Sequence, residues 1–304
     1  MQKAMQVAIG AGLALLLAVS ATNAGTQKPA HTRVLNFAQA PVVIDQPGHY
    51  VLNRSWRVRQ GSETPLMRVR AANVFIDLRG YQLVFDGPGI VIDGSEVTVR
   101  NGRLGGSDYS LIESTGRRTI VEDIQAIAGT QGIRLQGPDS VVRNFVAENT
   151  LVVLHGPNSL LDSSRIRCRQ VCAWLGDQSR VTNSQLRSSE FVTVRLHGDG
   201  NVLANNTITA SFTDSEPLVV AGDDNVVLNN VFLNRESGFA AVMVIEGSGN
   251  VLRDNIAAPI TNRWTRGIVF QQQGNFYGNN QMASDVPFDL EAPNQTDWGG
   301  NFGF

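Results

Sequence analysis

The feature that most constrains this chain is a short phrase that repeats along it. From residue 73 onward, a polar turn residue, a few strand-forming residues and then Asn or Asp recur, as at residues 201–206 and 250–255. The Asn or Asp position returns every 19 to 25 residues, through the column Asn101, Asp123, Asn144, Ser163, Ser184, Asn206, Asn230, Asn255 and Asn280. A second phrase, a short β-rich run ending in Gly, lies between these positions, as at residues 133–137. Self-similarity at such a period indicates a repeat architecture.

The length of the repeat decides which architecture is predicted. A βαβ unit needs roughly 30 residues and a propeller blade about 40. The Leu-x-x-Leu-x-Leu pattern of leucine-rich repeats is absent. What fits is an all-β solenoid in which each coil carries two or three short strands and stacks in parallel on the next coil, about 4.8 Å away. The sequence therefore predicts a parallel β-helix of about ten coils.

The repeat also assigns a role to most of its polar residues. Alternate strand residues such as Ile133 and Leu135 point into a narrow core, and Arg134 between them points out. Asn tolerates the left-handed backbone of a turn, and stacked Asn amides bond to each other from coil to coil. We therefore assign nearly every Asn and Asp of the repeat columns to the scaffold and not to chemistry.

The first residues have the layout of a secretory signal peptide. A basic start at Lys3 precedes an apolar run over residues 8–19 and small residues up to Ala24. The run is shorter than the roughly 20 residues of a membrane span, although a non-cleaved anchor is the alternative. We predict an exported protein, periplasmic or extracellular, with no membrane span in its mature chain. The predicted segments are a signal peptide (1–24), an N-terminal segment and cap (25–72), β-helix coils (73–284) and a C-terminal cap or tail (285–304).

The beginning of the repeat region resembles a known family. Residues 43–52, followed by residues 73–81, are similar to the opening segment of bacterial right-handed β-helix repeat proteins of the pectate-lyase-like superfamily. The resemblance covers roughly residues 40–290 and implies right-handed coils. It also implies that a glycan, if one binds, lies across the outward face of one parallel sheet. It does not imply one activity, because a fold of this kind hosts many.

The two cysteines, Cys168 and Cys172, are predicted to form a disulfide. Four residues of extended strand would hold them too far apart, but a turn between them, as the repeat predicts, brings them together. An exported chain keeps such a bond. Two stacked free thiols are the alternative, and a zinc site is not predicted because no pair of His lies nearby in the sequence.

The outward positions of the Gly-ending strands supply a candidate site. One predicted column reads Asp93, Gln136, His155, Leu175, His197, Ala221, Glu246 and Gln271. A shorter predicted column beside it reads Arg134, Val153, Ala173 and Arg195. These columns place His155 and His197 at one structural position, two coils or about 10 Å apart.

The functional interpretation of these columns is a groove for an acidic polysaccharide. Guanidinium groups bind uronate carboxylates, and an imidazole accepts a proton near neutral pH. Such a site suits β-elimination or epimerisation next to a carboxylate. The candidate catalytic residues are His155, His197 and Arg195, and the candidate substrate-binding residues are Arg134, Gln136, Glu246 and Gln271. The alternative is an ordinary polar face on a non-catalytic glycan-binding or scaffold protein of the cell envelope.

Aromatic residues and longer turns are weaker candidates. Trp174 and Trp264 have side chains of the kind that stacks on sugar rings, although a partly buried Trp is the commoner situation. The turns at residues 212–217, 234–239 and 262–266 are long enough to overhang a groove.

Several partners and cofactors are not predicted. The net charge of −2 argues against a nucleic-acid binder that relies on phosphate contacts. Polygalacturonase-like hydrolases of this fold need an ordered set of motifs, and here Asp223-Asp224 follows His197-Gly198 in reversed order without an Arg-Ile-Lys. Calcium requires several converging oxygens; Asp199, Asp223 and Asp224 supply such atoms, but their spacing does not demand an ion. We therefore predict no metal and no cofactor, and the sequence leaves the oligomeric state open.

Overall fold

The computed structural model describes residues 32–59, 61, 63–106, 109–128, 131–211, 216–234, 241–259 and 264–303. The chain divides into two units, residues 1–31 and 32–304. The first unit, and with it the predicted signal peptide, lies outside the described residues. Within the described ranges, no helix is long and apolar enough to cross a membrane.

The second unit is built from strands alone in its described part, numbered β1 to β35 in chain order. Twelve of them form one parallel sheet, here called the front sheet. Its strands are β2 (Val42–Ile44), β5 (Met67–Val69), β8 (Ile90–Ile92), β10 (Ser110–Ser114), β12 (Gln131–Leu135), β15 (Val152–Leu154), β18 (Ala173–Leu175), β21 (Val194–Leu196), β24 (Leu218–Val220), β27 (Ala241–Ile245), β30 (Trp264–Phe270) and β33 (Ser284–Asp289).

The other 23 strands form a second sheet, in which the strands stack in two parallel rows. The front sheet is the first ladder of the solenoid, and these two rows are its second and third ladders. The second ladder contains β1 (Thr32–Val34), β3 (Gly48–Val51), β6 (Val74–Asp77), β13 (Val141–Arg143), β16 (Leu160–Asp162), β19 (Arg180–Thr182), β22 (Val202–Ala204), β25 (Val226–Leu228), β28 (Val251–Arg253), β31 (Phe276–Gly278) and β34 (Thr296–Asp297). The third ladder contains β4 (Trp56–Val58), β7 (Gln82–Phe85), β14 (Val146–Ala147), β17 (Arg165–Cys168), β20 (Gln185–Ser188), β23 (Thr207–Ala210), β26 (Val231–Asn234), β29 (Ile256–Pro259), β32 (Gln281–Met282) and β35 (Phe302–Gly303). Two long strands, β9 (Val97–Gly105) and β11 (Ile120–Ala128), run through both ladders and join them.

All of these strands pair in parallel with the strand one coil away, as β12 pairs with β15 and β15 with β18. The chain thus winds around a solenoid of about eleven turns, close to the predicted ten. The prediction of an all-β, right-handed parallel β-helix is confirmed. Strand pairing also runs into both predicted end segments, since β5 pairs with β8 and β31 with β34.

The core is the narrow space enclosed by the three ladders. The strand residues predicted to point inward are all buried: Ile90, Ile92, Ile133, Leu135, Leu154 and Leu196. Each such side chain stabilises the fold by roughly 1.5–3 kcal/mol relative to an exposed one. The inward row therefore supplies a driving force for stacking in every coil.

The predicted Asn column turns out to combine two columns of the structure. Asn144, Ser163, Asn183 and Asn205 are aligned in successive coils and have positive φ angles of 51°, 49°, 52° and 60°. The residue after each of them belongs to a separate, buried column. The predicted column is therefore wrong by one residue from Ser184 onward. The sequence does not reveal this offset of one residue, because the left-handed position and the buried position after it both carry Asn or Ser, as in Asn183-Ser184.

The buried column is a continuous hydrogen-bonded ladder. The backbone N–H of Asn206 donates to Oδ1 of Asn230 at 3.0 Å, and that of Asn230 donates to Oδ1 of Asn255 at 3.1 Å. The side-chain amide of Asn230 also donates to the carbonyl of Leu203 at 2.8 Å. These groups are away from water, where an unpaired N–H or C=O is costly. This Asn column thus supplies hydrogen-bond partners for the backbone at the bend between the second and third ladders of strands.

Replacing Asn230 by Ala should destabilise the whole coil. At least two buried groups lose a partner, at about 1–3 kcal/mol each, so the free energy of unfolding should fall by about 2–6 kcal/mol. Urea unfolding followed by circular dichroism measures the change. The exposed Asn53 is the control, and Asn53→Ala should leave the midpoint almost unchanged. An equal effect of the two substitutions would contradict a structural role for the ladder.

Candidate functional site

The outward row of the front sheet differs from the predicted columns in two coils. Between Asp93 and Gln136 the structure has a further coil, in which Thr115 follows β10 at the strand-end position. The second difference lies in the coil of β18. Val153 is in register with Trp174, and Trp174 with Arg195. Trp174, and not Ala173, therefore belongs to the shorter column. Leu175 is fully buried and aligned with inward residues, so its predicted outward place is wrong. The physical reason is that this strand reaches its Gly one residue earlier than its neighbours do.

Gly176 occupies the place predicted for Leu175. Its N–H donates to the carbonyl of Leu154 at 2.7 Å, as the N–H of His155 does one coil earlier to Leu135 at 2.9 Å. A Cβ added to Gly176 would lie 2.5 Å from the backbone oxygen of His155, so no side chain fits. The column therefore has a gap between His155 and His197.

The indole of Trp174 lies next to this gap, between the two histidines. Its ring centroid is 6.0 Å from that of His155 and 6.1 Å from that of His197, edge to face in both cases. The two histidines stand two strand spacings apart, about 10 Å. A row of three rings, His155, Trp174 and His197, thus crosses three coils of the front sheet.

A cleft of about 680 Å³ opens over strands β12, β15 and β18. The front sheet contributes the outward residues Arg134, Val153 and Trp174 to the lining, and His155 follows directly after β15. The turn between β17 and β18 supplies a wall with Arg169, Gln170 and Val171, and the next turn adds Glu190. The lining of the cleft thus combines a floor formed by the front sheet with a wall formed by turns.

The wall is held by a covalent bond and an ion pair. Cys168 and Cys172 are joined by a disulfide with a Cα–Cα distance of 5.1 Å, which closes the turn between β17 and β18. Nε of Arg169 donates to Oε1 of Glu190 in the following turn at 3.0 Å. These links hold two successive turns side by side at the edge of the cleft.

His155 is tuned toward its neutral form. Packing around the ring and then the positive charge of Arg134 lower the pKa of His155 from its ordinary value, and His197 adds a smaller effect in the same direction. The ordinary value is about 6.5. The shift favours the uncharged imidazole at neutral pH, in which one ring nitrogen is a hydrogen-bond acceptor.

The remaining candidates lie elsewhere on the same face. Arg195 is 3.8 Å from Glu246, the strand-end residue two coils further along. Burial, and then the negative charge of Glu246, raise the pKa of Glu216 in the same neighbourhood. His197, Arg195, Gln136, Glu246 and Gln271 do not line the cleft. The structure thus brings Arg134 and His155 together and places Arg195 with Glu246 in a separate charged cluster.

Two of the three aspartates considered for calcium, Asp199 and Asp223, accept backbone hydrogen bonds from the next coil. Oδ1 of Asp199 accepts the N–H of Asp223 at 2.7 Å, and Oδ1 of Asp223 accepts the N–H of Ser248 at 2.7 Å. They form a ladder along the turns that follow the front sheet. In the described part of the chain, no group of three or more His, Cys, Asp or Glu is placed to hold a metal ion.

Sequence reasoning underestimated Trp174 and missed the wall of the cleft. Arg169 and Glu190 are 21 residues apart, about one repeat, and this spacing is the only signal that could have paired them. The predicted overhanging turns lie wholly or partly outside the described residues, at 212–215, 235–240 and 260–263. The side chain of Trp264 is likewise not described.

No protein-family model matches the sequence, and no curated protein matches it. Solved structures do match the fold. The A-module of mannuronan C-5 epimerase AlgE6 from Azotobacter vinelandii has a TM-score of 0.59 at 12% identity, covering 85% of this chain and 91% of that module. A variant of DFA-IIIase from Arthrobacter chlorophenolicus A6 in complex with DFA-III has a TM-score of 0.58 at 13% identity, covering 85% and 76%.

A third match is a tailspike protein of Escherichia coli bacteriophage HK620 in complex with a hexasaccharide. Its TM-score is 0.50 at 12% identity, covering 90% of this chain and 70% of the tailspike. Together with the strand topology, these matches show that the chain has the pectate-lyase-like, right-handed parallel β-helix fold.

The lowered pKa of His155 can be measured directly. In a proton NMR titration, the ring of His155 should take up its proton below the ordinary pH of about 6.5. Removing the neighbouring positive charge with Arg134→Gln should move the midpoint upward, because Arg134 opposes protonation. The charge-preserving Arg134→Lys is the control. A midpoint that is the same in all three proteins would contradict the coupling.

Proposed function

We propose that this protein binds an acidic oligosaccharide or polysaccharide in the cleft over β12, β15 and β18. The observation that carries the proposal is that Arg134, His155 and Trp174 line one cleft, where a cation, a hydrogen-bonding imidazole and an aromatic ring meet. This combination matches a uronate, which has a carboxylate, hydroxyl groups and an apolar C–H face.

Arg134 is the group proposed to bind the carboxylate. Its planar guanidinium offers two parallel N–H donors to a carboxylate. Within the described residues Arg134 forms no ion pair, whereas Arg195 in the same outward column is 3.8 Å from Glu246. Of these two arginines, Arg134 is therefore the one whose charge is available to a ligand.

The structural matches support a carbohydrate ligand at the level of the fold. The names of the matched proteins include an epimerase of mannuronan and a tailspike in complex with a hexasaccharide. A glycan is an extended ligand, and the stacked strands of the front sheet offer a surface that repeats about every 4.8 Å. An extended chain thus has room to lie across successive coils.

Export is part of the same proposal. A polysaccharide ligand is met outside the cytoplasm, and the disulfide between Cys168 and Cys172 persists in an oxidising compartment. The pattern of residues 1–24 is typical of a secretory signal. Periplasmic or extracellular location is tested by cell fractionation, with the mass of the exported chain showing whether cleavage follows Ala24.

Binding should depend on Arg134. Arg134→Gln should weaken binding of a mannuronan hexasaccharide by about ten-fold or more, since a hydrogen bond to a charged group contributes about 1.5–3 kcal/mol. Isothermal titration calorimetry measures the affinity. Arg253→Gln, an exposed arginine on the second ladder, is the matched control.

A carboxyl-reduced hexasaccharide serves as the second control. It should bind the wild-type protein weakly and should not distinguish wild-type from Arg134→Gln. If the wild-type protein binds neither sugar, the proposal is wrong. If both sugars bind with equal affinity, the carboxylate is not what is recognised.

Proton abstraction is the second candidate function, and the lowered pKa of His155 favours it. A neutral imidazole beside Arg134 is able to take the proton from the carbon next to a bound carboxylate, while the guanidinium stabilises the negative charge that develops. Epimerisation then requires a proton donor on the opposite face, and elimination requires one for the leaving oxygen. Among the described lining residues the one carboxyl group is that of Glu190, which is paired with Arg169. Binding is therefore the first proposal and catalysis the second.

If the protein is catalytic, His155→Gln should abolish turnover of uronate polymers with little change in affinity. Epimerisation is followed by NMR of the uronate ratio, and elimination by absorbance of the unsaturated product. Because the pKa of His155 is lowered, the neutral base persists below pH 6.5 and the acid limb of the pH profile should lie below that value. His197→Gln is the comparison, since that ring lies beyond Trp174. Full activity in a His155→Gln, His197→Gln double variant would exclude both histidines as the base.

A further inference from the structure

Phe191, beside the cleft, has an unusual backbone and an unusual exposure. Its φ is 45°, in the left-handed region, which a bulky side chain adopts only at a cost in free energy. Its side chain is 57% exposed, so burial in the core does not repay that cost. An aromatic side chain kept in a strained and solvent-facing position calls for a reason other than packing.

The rest of the fold shows what is ordinarily used at such positions. Among the described residues, the non-glycine positions with positive φ carry polar side chains, with Phe191 as the exception. The comparison is clearest two coils earlier, in the turn between β14 and β15. There Asn149 has a φ of 58° and lines the cleft. Asn takes this conformation more readily than an aromatic residue does, so Phe191 stands where the scaffold alone favours Asn.

The turn that carries Phe191 is one residue longer than the turn before it. The hydroxyls of Ser188 and Thr193 are 2.7 Å apart and close this turn. They stand in register with Cys168 and Cys172, whose disulfide closes the previous turn. Four residues lie between Ser188 and Thr193, but three lie between the cysteines. At the level of the cleft wall, the longer turn thus contains one residue more than the disulfide turn.

The residues on both sides of Phe191 are anchored. Glu190 lines the cleft and is bonded to Arg169 of the disulfide turn at 3.0 Å. Val192 packs against an apolar cluster on the outer side of the front sheet, which includes Val219 and Val244. The structure around Phe191 therefore holds the strained residue at the rim of the cleft.

We propose that Phe191 is an aromatic platform that binds a sugar ring of the glycan just outside the cleft. The inference rests on the proposed function, because the sugar it receives belongs to the chain whose carboxylate Arg134 binds. A pyranose ring presents an apolar C–H face, and an exposed phenyl ring supplies a rigid apolar surface for it. Strain of this kind is commonly retained at ligand-binding positions. The site would thus extend from the floor of the cleft across its wall.

The test separates a binding role from a structural one, because the two predict opposite effects on stability. Phe191→Asn should weaken binding of a mannuronan hexasaccharide by about ten-fold, equivalent to about 1.4 kcal/mol. The same substitution should leave the thermal unfolding midpoint unchanged or raise it, since Asn relieves the strain. Phe191→Tyr keeps the ring and should bind like the wild-type protein. Phe302→Asn is the matched control, because Phe302 is 62% exposed on the last strand, β35.

The outcomes that overturn the inference are distinct from those that overturn the proposed function. Unchanged affinity in Phe191→Asn, with the wild-type protein binding and Arg134→Gln impaired, removes the platform and keeps the cleft. A fall in both affinity and unfolding midpoint shows that Phe191 is structural. An absence of hexasaccharide binding by the wild-type protein removes both proposals. Retained sugar binding, together with self-association lost in Phe191→Asn, would identify a protein contact in place of the platform.

Discussion

Parallel stacking of one coil on the next, about 4.8 Å away, is the constraint on which the rest of this structure depends. At that spacing the backbone N–H and C=O groups of an inner strand find partners in the coils on either side, as β15 does in β12 and β18. The bends between strands need the same satisfaction, and the ladder through Asn206, Asn230 and Asn255 supplies it from side chains. Close stacking also excludes side chains where backbones nearly touch. A Cβ at Gly156 would overlap the carbonyl oxygen of Gly137 one coil earlier.

The same stacking turns a linear sequence into a surface. Residues one repeat apart in the sequence become neighbours, so the charge and shape of the surface depend on side chains from successive coils. On the second ladder, Asp77, Arg100, Glu122, Arg143 and Asp162 follow each other in register with alternating charge. Ion pairs link the first four of them. Their charges are compensated within the protein, whereas on the front sheet Arg134 has no described ion-pair partner. Charge compensation of this kind is absent at Arg134 among the described residues, although the outward neighbour before it in register is Glu113.

Irregularity in the turns is what makes a cleft from an otherwise regular face. The turn between β17 and β18 is closed by a disulfide, and the next turn by the Ser188–Thr193 hydrogen bond with one more residue inside it. The Arg169–Glu190 pair joins these two turns into a wall. A β-helix thus keeps its stacked strands constant and varies its turns, because turns contribute little to the core. The candidate cleft is therefore built mainly where the repeat is broken.

Much of the fold was predictable from the sequence, and the reason is local. Ile133 and Leu135 alternate with Arg134 because a strand has a period of two, and Asn144 sits at a left-handed turn because Asn tolerates that backbone. The repeat length alone excluded helical crossovers. These features depend on neighbouring residues and on the spacing of the repeat, both of which are written in the sequence.

The site was decided by tertiary structure. The sequence placed Arg134, His155, His197 and Arg195 on one face, but it could not place Trp174 between the histidines. That arrangement depends on a strand that reaches Gly176 one residue early, and a shift of one residue moves a side chain from the core to the surface. Nor could the sequence separate Arg134, in the cleft, from Arg195, beside Glu246. Which of these two arginines forms an ion pair depends on the three-dimensional course of turns of varying length. The repeat period does not predict that course.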